Sequence, residues 1–247
     1  MSRLEAVVLA GGLGTRLRSV VSDLPKPMAP VGGRPFLEYL LDFWIGEGVE
    51  RFILAVGYRH EALVDHFGSD YRGIPIEYSI ETEAVGTGGG LFLAIEKIRG
   101  ELPFFVVNGD TFFPVDVSSV QTFHQKKDSK FTMVLKEMPS AERYGTVCLR
   151  NDGRIERFCA RGEGDAPFLI NGGVYLANLE FLKEQKQGWD GRSPVSAESL
   201  LFLKWIEARE AIFGYTGTGE FIDIGIPEDY LRCHALFARL TLNSQED

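Results

Sequence analysis

The chain has 247 residues, of which 45% are hydrophobic and 25% charged, and it carries a formal net charge of −9. These values are ordinary for a soluble globular protein, and no apolar run approaches the roughly eighteen residues of a membrane span. The negative net charge argues against a nucleic-acid-binding surface, which normally shows a basic face. We expect a single domain over residues 1–247, in which any anionic ligand is held by local positive charge.

The chain ends and the cysteines carry little functional information. Residues 1–12 lack the basic region, apolar stretch and cleavage site of a secretory signal, which predicts a cytoplasmic protein. Cys148, Cys159 and Cys233 are far apart, odd in number and without metal-ligand spacing. We expect buried free thiols that carry no functional signal.

Residues 1–110 alternate two periodicities. Short β-rich runs at 5–10, 51–57, 75–80 and 103–108 are separated by helical patterns, such as the paired apolar residues over 36–45. This alternation predicts a mainly parallel, Rossmann-like α/β sheet with helices on both faces. Ligands of such sheets bind beyond the carboxyl ends of the strands.

After residue 110 the pattern changes. Strands are predicted at 130–137, 145–149, 154–158 and 172–176, with a turn at 151–153, and helices at 196–207 and 227–240. We expect a small mixed or antiparallel extension of the sheet. We find no internal repeat.

A glycine loop follows the first predicted strand, in VVLAGGLGTRL at residues 7–17. A dinucleotide fingerprint would need glycine at position 17, which is Leu17, and a P-loop would need a Gly-Lys-Ser/Thr ending, which is absent. Bare backbone amides can still approach a phosphate or base, and Arg16 adds a guanidinium fork. Lys26, held between Pro25 and Pro27, adds a point charge on restricted backbone.

Two aspartates follow apolar runs that end at the same predicted rim of the sheet. Asp110 comes after PFFVVN, and Asp223 lies within FIDIG. Magnesium takes one or two protein carboxylates and completes its shell with phosphate oxygens and water, so both are candidate ligands. Asp116 and Asp229 are weaker candidates, and Asp229 fits the first turn of a helix.

LAGGLGTRL with LPKPMAPVGGRPFLEYLL resembles the signature of the sugar-1-phosphate nucleotidyltransferases. EAVGTGG, VNGDTFF, RYGTV, LINGGVYL and FIDIGIPEDY extend the resemblance over nearly the whole chain. The spellings most resemble the group that guanylylates D-glycero-α-D-manno-heptose 1-phosphate, with mannose 1-phosphate guanylyltransferases next. The C-terminal β-helix of some relatives is not expected here.

The resemblance implies the nucleotide-diphospho-sugar transferase fold, with a nucleotide-binding half over 1–115 and a sugar-phosphate-binding half over 116–247. It implies Mg²⁺ at Asp110 and Asp223, small-molecule substrates and no nucleic-acid or membrane partner, and it is compatible with a homodimer. The catalytic residues implied are Arg16, Lys26 and Asp110. Those implied for the nucleotide are Leu9, Ala10, Gly11, Gly12, Gly14, Thr15, Arg16, Glu81, Gly86, Thr87 and Asn108, and those for the sugar phosphate are Gly145, Arg161 and Asn171.

One position in the sequence predicts the nucleobase of the nucleotide substrate. Thymidylyl- and uridylyltransferase relatives usually carry Gln five residues before a glycine, where this chain has Glu81 before Gly86. A carboxylate accepts hydrogen bonds from both N1–H and N2–H₂ of guanine, so we predict GTP, with Glu83 as the reserve candidate.

The sugar is less well specified by the sequence. The Glu-Lys pair of the family reads Ala160-Arg161 here, so Arg161 can hold the phosphate while the acid contact is missing unless Glu163 supplies it. The expected acceptor is the heptose 1-phosphate, and mannose 1-phosphate or another sugar 1-phosphate is the alternative. A regulatory protein that binds nucleotide sugars without catalysis is the alternative of a different class.

Overall fold

A computed structural model describes residues 3–12, 24–159, 163, 166–225 and 227–243, with side chains as far as Arg239. Its strands are β1 (Glu5–Ala10), β2 (Pro30–Val31), β3 (Arg34–Pro35), β4 (Arg51–Val56), β5 (Asp70–Tyr71), β6 (Ile74–Ile80), β7 (Phe104–Asn108), β8 (Thr111–Phe112), β9 (Phe131–Met138), β10 (Thr146–Leu149), β11 (Ile155–Cys159), β12 (Phe168–Ala177), β13 (Ile212–Gly217) and β14 (Ile222–Asp223). Its α-helices are α1 (Phe36–Gly46), α2 (His60–Phe67), α3 (Gly86–Ala94), α4 (Val117–Lys126), α5 (Leu179–Lys186), α6 (Phe202–Glu207) and α7 (Pro227–Asn243).

One mixed sheet organises the described part of the chain. Its strand order is β11-β10-β12-β7-β1-β4-β6-β5, and β9 and β13 join it through β12. Strands β7, β1, β4 and β6 are parallel, whereas β12 runs antiparallel to β7 and to β9. The predicted fold class, a mainly parallel α/β sheet with a mixed extension, is confirmed.

The central strands are apolar on both faces because helices cover both. Every residue of β4 is buried. Along β1, Ala6 and Val8 enter the core that α1 and α7 cover, while Val7 enters the core that α3, α5 and α6 cover. A strand that is buried on both faces shows a continuous hydrophobic run rather than an alternation. No helix within the described ranges has the length and apolar character that crossing a bilayer requires.

Two elements differ from the sequence-based expectation. β12 begins at Phe168 rather than at residue 172, and an irregularity in its pairing with β9 lies between Asn171 and Val174. β13, with the sequence IFGYTG, was not predicted because its two glycines weaken the strand pattern. The helix expected over 196–207 begins as a π-helical turn, Ala197–Leu201, before α6.

The expectation of buried free thiols is confirmed for Cys159 and Cys233, whereas Cys148 is free but only partly buried. All three cysteines are free, but the antiparallel pairing of β10 with β11 places the Cys148 and Cys159 sulfurs 2.8 Å apart. Cys148 is half-buried. Burial, with the Cys159 contact adding, raises the pKa of Cys148 to about 11. Spacing along the sequence could not reveal a contact that a hairpin creates.

Candidate active site

The carboxyl ends of the four parallel strands lie at one rim of the sheet. β1 is followed by Gly11 and Gly12, β4 by Gly57, β6 by Glu81, and β7 by Gly109 and Asp110. Leu9 pairs with Asn108 and Ala10 with Val56, so these strand ends are in register. The candidate nucleotide-binding residues at the ends of these strands therefore collect at the edge where ligands of parallel sheets bind.

An ion-paired cluster of Lys26, Asp110 and Asp223 lies at this rim. Lys26 begins the 3₁₀ turn Lys26–Met28, and its Nζ forms an ion pair with Asp110 and lies 3.6 Å from Asp223 Oδ1. The Lys26 side chain is 13% exposed, against 33% for Asp110 and 18% for Asp223. One ammonium thus separates two carboxylates that would otherwise repel each other.

Short pairing around β14 brings the two aspartates together. Asp223 lies opposite Thr111 of β8, and the Ile224 N–H donates to the Asp110 carbonyl oxygen at 3.0 Å. The Gly225 N–H donates to Asp223 Oδ1 at 2.8 Å. A Cβ at Gly225 would overlap the Lys26 ammonium, so this close approach requires glycine. The segments that form the cluster lie 84 or more residues apart in sequence.

Glu81 occupies a recess lined by glycine. A Cβ at Gly11 would overlap the Glu81 carboxylate, and one at Gly90 would lie 2.7 Å from Glu81 Oε1. Burial raises the pKa of Glu81, and a hydrogen bond of 3.4 Å from the Val85 N–H offsets part of that increase. Glu83, the reserve candidate, is exposed to solvent. The structure therefore places Glu81, rather than Glu83, beside the glycine loop.

Gly86 and Thr87 contact a segment that sequence reasoning did not include. Gly86 has a φ of +75°, and the Val195 carbonyl accepts from the N–H groups of Gly88 (2.8 Å) and Gly89 (3.2 Å). The Thr87 hydroxyl donates to Glu198 Oε2 and accepts from the Ala197 N–H, each at 2.9 Å. Residues 195–198 are thus fixed against the start of α3.

Asn171 and Asn108 meet at a buried tyrosine. Asn171 Nδ2 donates to the Tyr175 hydroxyl at 2.8 Å, and Asn171 Oδ1 accepts from the Gly173 N–H at 3.0 Å. Asn108 also hydrogen-bonds the Tyr175 hydroxyl. The structure therefore gives Asn171 a local role in shaping the bulge of β12. Tyr175 was missed because a tyrosine in an apolar run cannot be told from an ordinary core residue.

The remaining candidates are more scattered. Gly145 is exposed beside Tyr144, whose hydroxyl donates to Asp229 Oδ2 at 3.4 Å. Burial raises the pKa of Tyr144, and the negative charges of Asp223 and Asp229 add to that increase. Glu163 is paired with Arg157 at 3.2 Å. Gly14, Thr15, Arg16, Ala160 and Arg161 lie outside the described residues.

The candidate metal ligands of the cluster are two carboxylates, those of Asp110 and Asp223. Among the described residues no group of three or more His, Cys, Asp or Glu side chains could hold a metal ion. Asp110 and Asp223 remain as a pair of partly exposed carboxylates on one rim. Magnesium sites that are completed by phosphate oxygens and water use one or two protein carboxylates, so these residues fit the ion.

The chain belongs to the nucleotidyl transferase family, whose model matches residues 5–239. It is 42% identical over 230 residues to the D-glycero-alpha-D-manno-heptose 1-phosphate guanylyltransferase of Aneurinibacillus thermoaerophilus, covering 92% of this chain and 95% of that protein. Its identity to the enzyme of the same name from Campylobacter jejuni is 38%, covering 92% and 97%.

The chain is also similar to a solved structure and to a mannose-1-phosphate guanylyltransferase. The crystal structure of HddC from Yersinia pseudotuberculosis complexed with GMP-PN superimposes with a TM-score of 0.82 at 31% identity, covering 96% of this chain and 100% of that one. The mannose-1-phosphate guanylyltransferase of Mycobacterium tuberculosis is 32% identical, but the chain covers only 65% of its length.

Replacing Lys26 with methionine tests the cluster. Lys26→Met keeps the aliphatic part of the side chain but removes the ammonium. That charge lies between the two carboxylates and would attract an anionic substrate. We expect turnover to fall about 100-fold or more, the usual effect of losing one electrostatic contact to a transition state. Pyrophosphate release measures this loss, and circular dichroism checks the fold. Lys204→Met, an exposed lysine on α6, is the matched control. Activity within threefold of wild type would contradict the assignment.

Proposed function

We propose that the protein joins GTP to D-glycero-α-D-manno-heptose 1-phosphate, releases pyrophosphate and supplies GDP-heptose for a surface polysaccharide. The observation that carries the nucleotide assignment is the Glu81 carboxylate in its glycine-lined recess at the rim of the sheet. Support for the acceptor comes from the two relatives of that activity, which match nearly the full length of both chains.

The reaction needs no nucleophile from the protein. A sugar phosphate has a second pKa near 6, so it is largely a dianion at neutral pH. One of its oxygens attacks the α-phosphorus of GTP, a new P–O bond forms, and the α–β bridging P–O bond breaks as pyrophosphate leaves. The protein must hold two mutually repelling anions in line and neutralise the departing charge.

The ion-paired cluster supplies this neutralisation. Lys26 is a positive charge at the rim, and the bare amides of Gly11 and Gly12 follow β1 at the same rim. We assign Arg16 to the phosphates on sequence grounds. Asp110 and Asp223 would hold Mg²⁺, which when bound neutralises phosphate charge in the ground and transition states. The Tyr144 hydroxyl donates to Asp229 of α7, and its ring packs on Phe221, two residues before Asp223.

The metal assignment is tested by removing the ion and its ligands. We expect EDTA to abolish turnover and Mg²⁺ to restore it. Asp110→Ala and Asp223→Ala should each reduce turnover by orders of magnitude, because a metal contributes several kcal/mol to transition-state charge stabilisation. The folded state, followed by circular dichroism, should persist in both variants. Full activity in EDTA, or in Asp223→Ala, would refute the assignment.

Guanine is favoured by the chemistry of Glu81. An ionised carboxylate only accepts hydrogen bonds, and guanine presents two adjacent donors, N1–H and N2–H₂. Uracil and thymine present one N–H donor between two carbonyl acceptors, and a carboxylate repels those carbonyl oxygens. The glycine-lined recess leaves Glu81 partly desolvated, so an unsatisfied carboxylate facing the wrong base is costly.

Glu81→Gln tests base recognition and its pH dependence. We expect kcat/KM for GTP to fall about 10- to 100-fold, since a hydrogen bond to a charged group contributes roughly 1.5–3 kcal/mol. In wild type the KM for GTP should rise as pH falls, because the raised pKa of Glu81 brings protonation closer to neutrality. In Glu81→Gln that acid limb should disappear.

Glu83→Gln is the matched control for this test. It removes the same charge from an exposed position two residues further along the chain. It should retain both the GTP preference and the acid limb. A wild-type preference for UTP, dTTP or CTP would overturn the proposal, as would loss of GTP preference in Glu83→Gln but not in Glu81→Gln.

The acceptor is tested by a matrix of four nucleoside triphosphates against four sugar 1-phosphates, read by pyrophosphate release. The sugars are the heptose, mannose, glucose and N-acetylglucosamine. We expect the highest kcat/KM for GTP with the heptose 1-phosphate. A higher value with mannose 1-phosphate would refute the heptose assignment, and no turnover with any pair would favour the non-catalytic alternative.

A further inference from the structure

Glu198 is an exposed carboxylate on the π-helical turn Ala197–Leu201. Its Oε2 accepts hydrogen bonds from the Thr87 hydroxyl at 2.9 Å and from the Ser196 hydroxyl at 3.3 Å. Both of these hydrogen bonds run to Oε2, and within the described part of the chain no side chain or N–H donates to Oε1. Glu198 is therefore held by one oxygen while the second keeps its acceptor capacity.

The turn that carries Glu198 is anchored at the rim of the sheet. Val195 exchanges backbone hydrogen bonds with Val85, Gly88 and Gly89, at 2.7–3.2 Å. The Ala197 N–H donates to the Thr87 hydroxyl at 2.9 Å. The carboxylate is thus fixed beside the segment that follows Glu81, where the nucleotide-binding half meets the second half of the chain.

The segment that carries Glu198 packs against Tyr175 of β12. The negative charges of Glu198 and Asp110 both add to the effect of burial in raising the pKa of the Tyr175 phenol. Tyr175 in turn bonds Asn171 and Asn108. The Tyr175 ring also packs on Phe202, which directly follows the turn that carries Glu198, with ring centroids 5.7 Å apart. This turn therefore lies beside the strand that carries Asn171, a candidate sugar-phosphate residue.

We infer that Glu198 accepts hydrogen bonds from ring hydroxyls of the sugar 1-phosphate and so helps to select a polyhydroxylated sugar. This inference rests on the proposed function. A carboxylate with one fixed oxygen and one open oxygen is suited to a hydroxyl, and such charge-assisted hydrogen bonds are stronger than neutral ones. Residue 160 is alanine, whose side chain cannot make this contact.

Glu198→Gln separates a substrate contact from a structural one. The amide oxygen can still accept from Thr87, while the charge is lost. We expect the KM for the sugar 1-phosphate to rise about 10- to 100-fold with little change in the KM for GTP. Glu207→Gln, an exposed glutamate at the end of α6, is the matched control and should behave as wild type.

Deoxy analogues of the sugar 1-phosphate identify the contact. Wild type should lose kcat/KM with the analogue that lacks the hydroxyl bound by Glu198, and Glu198→Gln should cause no further loss with that analogue. A purely structural role predicts equal losses with every analogue, a raised KM for GTP, or a lowered melting temperature. Any of these results would overturn the inference.

Failure of the proposed function is distinguishable from failure of the inference. If wild type prefers a different sugar 1-phosphate, the acceptor assignment is wrong, and the comparison of Glu198→Gln with wild type on that sugar still decides the role of Glu198. If no pair of substrates turns over, calorimetric titration of each protein with the heptose 1-phosphate decides it. Unchanged affinity in Glu198→Gln would refute the contact.

Discussion

The site depends on one electrostatic constraint, the Lys26 ammonium between the carboxylates of Asp110 and Asp223. Two carboxylates at one rim repel each other, and the cation makes their approach favourable in the absence of substrate. Because Asp110 follows the central strand β7 and Asp223 comes from a short strand just before α7, the same interaction fixes the C-terminal part of the chain against the sheet. The arrangement collects charge of both signs where phosphates would enter.

Glycine, which has no side chain, determines how closely the charged groups of the site approach the backbone. Glu81 fits its recess because Gly11 and Gly90 have no Cβ, and Lys26 reaches Asp223 because residue 225 is glycine. The glycines lie after β1, within α3 and after β14, yet each clears space for one charged side chain. Substitution at any of them would displace a carboxylate or ammonium rather than a flexible apolar group. The positions of the charges are therefore set by the backbone as much as by hydrogen bonds.

The sequence predicted the parts of the site that lie on single strands and loops. The central strands, the glycine loop, Lys26 and the strand-end position of Asp110 follow from local patterns of apolar residues, glycine and proline. Local sequence patterns could not predict contacts between distant segments. Glu198 reaches Thr87 only because Val195 pairs with Val85, and Cys148 contacts Cys159 only because β10 and β11 form a hairpin. β13 was missed because its pairing with β9 outweighs the low strand propensity of its glycines.

The most direct test of the account is the position of the metal ion in a crystal of the protein with GDP-heptose and Mn²⁺, located by anomalous scattering. We expect one anomalous peak bonded to the carboxylates of both Asp110 and Asp223, at about 2.0–2.3 Å, the range for small divalent ions on oxygen ligands. An ion bound elsewhere, with the Lys26 ion pair to Asp110 undisturbed, would contradict the claim that this cluster is the reaction centre.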